Sequence, residues 1–332
     1  MGKSCWVKSL SIKILVMGAG AIGSLYGGLL AETENKVTFI ARKPHVESIR
    51  KNGLTIEGLI NKKIKNIKAE TNPSNLVHEK FDLILITVKA YDTFQASTQI
   101  KPLTKNNPAI LCLQNGIGVE GEASKILGKF SLLRGVSFCG SYMSEPGKIV
   151  STGLGKTIIG EPYNQNSGIA GVVKEVFEEA GFPTFISANI HGTVWTKTLV
   201  NAGINPFGTL TKMRNGELLE DENLKKLMIE TVKEGVKVAE KLKIRLDEDP
   251  VRLMVKTAKA TFKNLNSMLQ DLLKGKKTEI DYINGAISRF GKKLNQPTPL
   301  NDLLTAFIKA VEKKMLKEKD SEWKPSILQK IL

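Results

Sequence analysis

A doubly wound parallel α/β domain followed by an all-helical domain is the fold class that this sequence predicts, and three observations carry the prediction. Near the N terminus a short apolar run, KILVM at 13–17, leads through a glycine-punctuated turn into a segment with helical apolar spacing. Four further apolar runs follow at 36–41, 81–88, 108–113 and 132–138, and their near-continuous apolar character is that of strands covered on both faces. From about residue 189 such runs cease and only segments with a 3.6-residue period remain. At 332 residues the chain exceeds the size at which one core usually stops growing. The division expected is an N-terminal extension over residues 1–10, an α/β domain over 11–188 and a helical domain over 189–332.

Element by element, KILVM, the turn GAGAIG and the helical LYGGLLAE are closed by the strand KVTFIA, which completes a β-α-β unit of roughly 30 residues. Such a crossover demands parallel strands. Residues 146–161, with Gly147, Gly153, Gly155 and Gly160 punctuating two β-like runs, read as a hairpin at the sheet edge. A helix over 168–180, stopped by Gly181 and Pro183, precedes a last short strand, PTFIS. Helical periodicity then covers 190–204, 216–243, 249–265, 278–294 and 299–317.

Hydrophobic residues make up 41% and charged residues 25%, an ordinary globular composition. The net charge of +16 admits anionic partners. Its lysines, however, are scattered, often alternate with Glu and lack aromatic interleaving, which argues against nucleic acid and for solvated faces. A positive potential of this kind suits a phosphate-bearing cofactor and a carboxylate substrate. Cys5, Cys112 and Cys139 cannot pair completely and stand in no ligand spacing, so a reducing compartment and no structural metal are expected. No run approaches the roughly 18 apolar residues of a membrane span, and the N-terminal MGKSCWVKSL is too short and polar for a signal peptide. A cytoplasmic protein is expected.

Gly18-Ala19-Gly20-Ala21-Ile22-Gly23 follows a strand and opens a helix, the context in which three such glycines serve a dinucleotide. The first permits the turn, the second lets backbone approach the pyrophosphate, and the third lets the helix pack on its strand. A purely structural glycine turn is the alternative. At the end of the second strand an acid would accept from a ribose 2′-hydroxyl, whereas an arginine would pair with a 2′-phosphate. The sequence there is Ala41-Arg42-Lys43, which favours NADPH unless both cations are solvated surface charges. Lys89, at the end of FDLILITV, and Asn115, in the loop Gln114-Asn115-Gly116 after PAILCL, also lie where ligands meet the carboxyl ends of strands. An exposed strand-end lysine and an ordinary Asn-Gly turn are the bland readings.

The strongest catalytic signal is the segment WTKTLVNAGINP, which places Lys197, Asn201 and Asn205 at i, i+4 and i+8 on one helix face. Asn is a poor helix former, so two on one stripe suggest ligands; a solvent-exposed stripe is the alternative. Ser267-Met268-Leu269-Gln270 fits a capping box with Ser267 as N-cap. Glu279 falls in the first turn of the following helix, where an acid is favoured by the helix dipole alone.

GAGAIGSLYGG, VKAYDT, LQNGIG, WTKTLVNAGINP, RNGE, SMLQD and TEIDYING resemble, in this order, the motifs of ketopantoate reductases, with a match running from about residue 12 to 318. The resemblance implies a Rossmann domain, a helical domain like the C-terminal domain of 6-phosphogluconate dehydrogenase, and NADPH-dependent reduction of 2-dehydropantoate to (R)-pantoate on the way to pantothenate and coenzyme A. It further implies Lys197 as the acid at the C2 carbonyl oxygen, and Glu279 as a carboxylate that organises that lysine and the substrate hydroxyl. Asn115, Asn201, Asn205 and Asn215 become substrate-orienting amides and Ser267 a ligand of the substrate carboxylate; Asn115 and Glu279 count also among the cofactor contacts. Two rivals stay open: a paralogue acting on another 2-oxo acid, and a non-catalytic dinucleotide sensor. Apolar positions on the long helices leave intrachain core and a homodimer seam both open.

Overall fold

The computed structural model describes residues 11–164 and 166–320. The expected extension over residues 1–10, with Cys5, lies outside the described residues. The chain divides into two units between Thr193 and Val194.

In the first unit the elements run β1 (Lys13–Met17), α1 (Ala21–Ala31), β2 (Lys36–Ile40), α2 (Lys43–Asn52), β3 (Leu54–Gly58), β4 (Lys62–Ile64), β5 (Lys68–Glu70), β6 (Leu83–Ile86), α3 (Thr93–Ile100), β7 (Ala109–Cys112) and α4 (Val119–Leu127). They continue with β8 (Leu132–Ser137), β9 (Gly140–Glu145), β10 (Lys148–Gly153), β11 (Thr157–Gly160), α5 (Ile169–Glu179) and β12 (Thr184–Ile186). Eight strands form the main sheet in the order β12-β11-β8-β7-β6-β1-β2-β5. All neighbouring pairs are parallel except β8 with β11. The chain moves outward from β1 through β2 to β5, then returns to β6 on the other side of β1. The strand order therefore reverses beside β1, which is where an open α/β sheet leaves a crevice at its carboxyl edge.

Four strands form a second sheet in the order β4-β3-β10-β9. The single hairpin expected over 146–161 is thus not formed. Lys148–Gly153 pairs antiparallel with β9 in the second sheet, while Thr157–Gly160 pairs antiparallel with β8 in the main one. The partner that sequence reading missed is β9, whose GSYMSE is mostly polar and part-exposed, so that its apolar period is weak. Helix α1 is held between the sheets. A Cβ at Gly27 would strike Phe39 and Val16 of the main sheet, and one at Gly28 would come within 2.8 Å of Leu54 Cδ2 in the second. The paired glycines of SLYGG are the thin point that admits this three-layer packing. Beside them Tyr26 stacks on Phe182 at 4.2 Å between ring centroids, in the core of the unit.

The second unit contains most of α6 (Ile190–Thr211), then α7 (Glu222–Lys241), α8 (Pro250–Ala260), α9 (Ser267–Leu273), α10 (Asn284–Lys293) and α11 (Pro299–Asp320). The helical period begins at 190, but the first turn of α6 is tied to the α/β unit. Ile190 covers Gly160, and His191 Nε2 lies 2.8 Å from the Pro162 carbonyl oxygen. Asp221 and Asp249 cap α7 and α8 by accepting backbone N–H bonds at their first turns. At Gly203 the helices come close, because a Cβ there would sit 2.7 Å from Val232 Cγ2 of α7. No helix among the described residues is long and apolar enough to cross a membrane.

Candidate active site

At the carboxyl edge of the main sheet, neighbouring parallel strands bring four predicted features into one row. In spatial order they are Asn115 after β7, Lys89 after β6, the glycine turn after β1 and Arg42 after β2. In the turn each glycine has its own reason. Gly18 sits at φ +97°, in the left-handed region, and a Cβ there would lie 2.7 Å from Val88 N. A Cβ at Gly23 would collide with Thr87 Oγ1 and lie 2.7 Å from the Gly18 carbonyl oxygen, so α1 can approach the sheet only with glycine there. Gly20 is exposed, and a Cβ there would meet only the Gly18 oxygen, at 3.9 Å. No packing within the described residues therefore requires the second position to lack a side chain, and glycine there keeps a backbone surface open. Ala21 and Ile22 begin α1, whose first N–H groups have no intrahelical acceptors and present the positive end of the helix dipole. This cradle fits a pyrophosphate.

The turn is held from both sides. Gly18 and Ala19 donate their N–H groups to the Ile40 carbonyl oxygen, at 3.1 and 2.8 Å. Thr87 Oγ1 donates to the Gly18 oxygen at 2.9 Å. A buried relay holds Ala19 as well. The Gly147 N–H donates to His45 Nδ1 at 2.9 Å, which leaves the imidazole proton on Nε2, 3.0 Å from Ser24 Oγ; Ser24 in turn donates to the Ala19 oxygen at 3.2 Å. Burial pushes the His45 imidazole down to about 4, so this neutral tautomer persists at neutral pH. The relay residues were not legible as functional, since nothing in the local pattern sets Ser24 and His45 apart.

Arg42 is exposed and forms the N-cap of α2. The residues that follow β2, Ala41-Arg42-Lys43, include no acid; Glu70 of β5, in register with Ile40, is paired with Arg50 at 2.8 Å, and Arg42 has no ion-pair partner among the described residues. Lys89 and Asn115 are both half-buried.

In the second unit α6 places Lys197, Asn201 and Asn205 one above another on one helix face. The stripe is not a solvent-exposed one. Lys197 and Asn201 are half-buried and Asn205 is 5% exposed, while Val194, Trp195, Leu199, Val200 and Ala202 bury the remaining faces. Pro206 lies inside this helix and has no N–H to offer the Ala202 carbonyl oxygen one turn earlier. Asn284 supplies the missing donor, with Nδ2 3.2 Å from that oxygen and 3.0 Å from Asn301 Oδ1. Asn301 donates in turn to the Thr231 oxygen and to Glu234, at 3.0 and 2.8 Å. A buried polar chain thus fastens the Lys197 helix to α7, α10 and α11.

Glu279 is 6% exposed and precedes a short 3₁₀ turn, Ile280–Tyr282, instead of opening an α-helix. The backbone around it is fixed by the Thr278 N–H, which donates to Glu312 at 2.7 Å. Ser267 is exposed, and it is the first residue of α9 and not its N-cap. Asn266 takes that role by accepting from the Leu269 N–H at 2.9 Å, because its side chain is anchored by Thr209 of α6 at 3.2 Å. Asn215 is buried; its Nδ2 donates to Thr261 at 2.9 Å, and its Oδ1 has no hydrogen-bond partner among the described residues.

Comparison with known proteins agrees with this two-part layout. The family description Ketopantoate reductase PanE/ApbA matches residues 14–164, and its C-terminal counterpart matches residues 189–312. The 2-dehydropantoate 2-reductase of Pyrococcus horikoshii is 43% identical over 302 residues, spanning 91% of this chain and 98% of that protein. A crystal structure of a PanE/ApbA family ketopantoate reductase from Ralstonia eutropha superposes with a TM-score of 0.85 at 31% identity, covering 92% of this chain and 99% of its own. D-mandelate dehydrogenase, solved with NADH and anilino(oxo)acetate, gives the same TM-score, identity and coverage. Matched along both units by sequence and by fold, the chain belongs to the ketopantoate reductase family.

Proposed function

We propose that the chain reduces 2-dehydropantoate to (R)-pantoate with NADPH, and that Lys197 is the proton donor. The observation that carries this reading is the polar face of Lys197, Asn201 and Asn205 on α6, half-buried at the first two positions and buried at the third, and so too little exposed to be a solvated surface. NADPH, when bound, supplies the hydride. As a ketone carbon accepts a hydride, negative charge builds on its oxygen; an ammonium within hydrogen-bond reach stabilises that charge and then donates the proton, leaving an alcohol and a neutral amine. Lys197 does both. Asn115, Asn201, Asn205 and Asn215 are read as orienting amides. Ser267 takes the substrate carboxylate, and the buried Glu279 organises Lys197 and the distal hydroxyl. Gly18, Gly20, Gly23 and the start of α1 hold the pyrophosphate, with Lys89 as a phosphate contact.

For the choice of cofactor the support is Arg42, exposed just after β2 in a segment without an acid and beside a Glu70 already paired with Arg50, which suits a 2′-phosphate. Arg42→Ala is expected to weaken NADPH binding about 10-fold or more and to leave NADH unchanged, as befits the loss of one charge-assisted hydrogen bond. A cytoplasmic homodimer completes the reading, and sedimentation tests the dimer.

A second reading, a different 2-oxo acid as substrate, is favoured by the likeness to D-mandelate dehydrogenase. The absorbance of NADPH followed with ketopantoate, 2-oxoisovalerate and phenylglyoxylate, and repeated with NADH, separates the two. Fast turnover of ketopantoate is expected. Preference for phenylglyoxylate would install the second reading, and tight NADPH binding with no turnover would point to a sensor.

A further inference from the structure

Among the apolar residues of β8 stands one charged side chain, Arg134, which is 1% exposed. A guanidinium so placed must find acceptors for its donors, and it finds four carbonyl oxygens, three at or just beyond the end of the neighbouring strand β7 and one, that of Gly135, on β8 itself. One terminal nitrogen donates to Cys112 and Gly135 at 2.9 and 2.7 Å, the other to Gln114 and Gly116 at 2.8 and 2.9 Å. Its charge is balanced by Glu120, itself buried in the first turn of α4, with Nε 3.3 Å from Oε2. That contact is a charge pair without aligned hydrogen-bond geometry, so the carbonyl oxygens are what fix the fork.

The two outer acceptors, Gln114 and Gly116, flank Asn115. The same loop is tied on its other side, where Gln114 Nε2 donates to Thr93 at 3.0 Å and Thr93 donates to the Ala90 oxygen at 2.7 Å, next to Lys89. We propose that Arg134 is a positioning residue of the reductase: its guanidinium clamps the backbone on both sides of Asn115 and so sets the direction of the Asn115 amide. Burying a charge on an apolar strand is a poor means of stabilising a sheet, whereas a planar fork that spans several carbonyls suits the fixing of an irregular loop. The inference rests on reading Asn115 as a ligand of the reacting pair.

The test is a double-mutant cycle on the full-length enzyme, reading kcat and KM for ketopantoate in wild type, Asn115→Ala, Arg134→Lys and the double variant, with melting temperatures as a check on folding. Lysine keeps the charge beside Glu120 but lacks the fork. Arg134→Lys is expected to lower kcat about 100-fold, the scale of an ångström-sized misplacement. In the Asn115→Ala background it should cost no more than about 2-fold, since a clamp has nothing left to orient. Equal losses in both backgrounds overturn the proposal while leaving the Asn115 reading intact. An Asn115→Ala enzyme as active as wild type overturns that reading, and the proposal with it. If Arg134→Lys does not fold, the cycle is run with Arg134→Met plus Glu120→Gln, which strands no buried charge, and the same outcomes decide.

Discussion

His45 binds its proton more weakly in the folded chain than in the unfolded one, at about 4 against an ordinary 6.5, because burial disfavours the imidazolium. The Gly147 N–H directed at Nδ1 leaves no room for a second proton. Between those two values the unfolded state binds more protons, so the stability associated with His45 is complete above about pH 6.5 and is lost as pH falls toward 4. Wild type should therefore lose melting temperature more steeply over that window than His45→Gln, whose profile is flatter from a lower start. Parallel profiles would contradict the relay. At this scale the sequence was partly readable. The tight turn at Gly18 and the close packing at Gly23 were readable from the glycine spacing in its strand-to-helix context, whereas Ser24, Thr87 and His45 converge on the turn from three separate stretches that no local pattern connects. Arg134 did leave a signal, a lone charge inside LLRGV, since an arginine in a buried strand needs a reason.

At the scale of elements, the turn and α6 make different predictions. Gly20→Ala should leave the melting temperature nearly unchanged and weaken dinucleotide binding, because the added methyl points into open space. Gly23→Ala should lower both, because it strikes Thr87 and the Gly18 carbonyl. Calorimetry and fluorescence titration of the two variants distinguish a cofactor cradle from a merely structural turn. In α6 the exchange of a backbone donor for a side chain at Pro206 makes Asn284 a structural requirement. Asn284→Ala leaves the buried Ala202 oxygen unsatisfied and should cost about 1–3 kcal/mol in urea unfolding. A cost below about 0.5 kcal/mol, the level of an ordinary surface change, would mean that the carbonyl finds another donor. Long elements with strong periods were legible, among them β1, β6, β8, α7 and α11. Short lysine-bearing strands such as KKI and KAE were not, because three residues do not establish a period. The capping of α9 was misplaced by one residue because Asn266 and Ser267 are both good caps, and only the contact with Thr209 selects the first.

For the whole molecule, the end of the continuous apolar runs at about residue 189, with only a 3.6-residue period beyond it, located the helical part, while the second sheet escaped because its strands come from two distant stretches, residues 54–64 and 140–153. The residues assigned to chemistry fall into two sets with different tasks. One lines the carboxyl edge of a sheet whose strand order reverses at β1 and is suited to a dinucleotide; the other centres on α6, with Asn215, Ser267 and Glu279 from later segments of the helical unit, and is suited to an oxygen that becomes negative. The central claim is that these sets serve a single reduction in which Lys197 donates the proton. It is tested most directly by kcat for ketopantoate reduction in Lys197→Ala, with NADPH affinity measured on the same preparation. A fall of about 100-fold to 10,000-fold in kcat with unchanged NADPH affinity is predicted, the usual contribution of a positioned general acid. A kcat within a few-fold of wild type would contradict the assignment and require another proton donor.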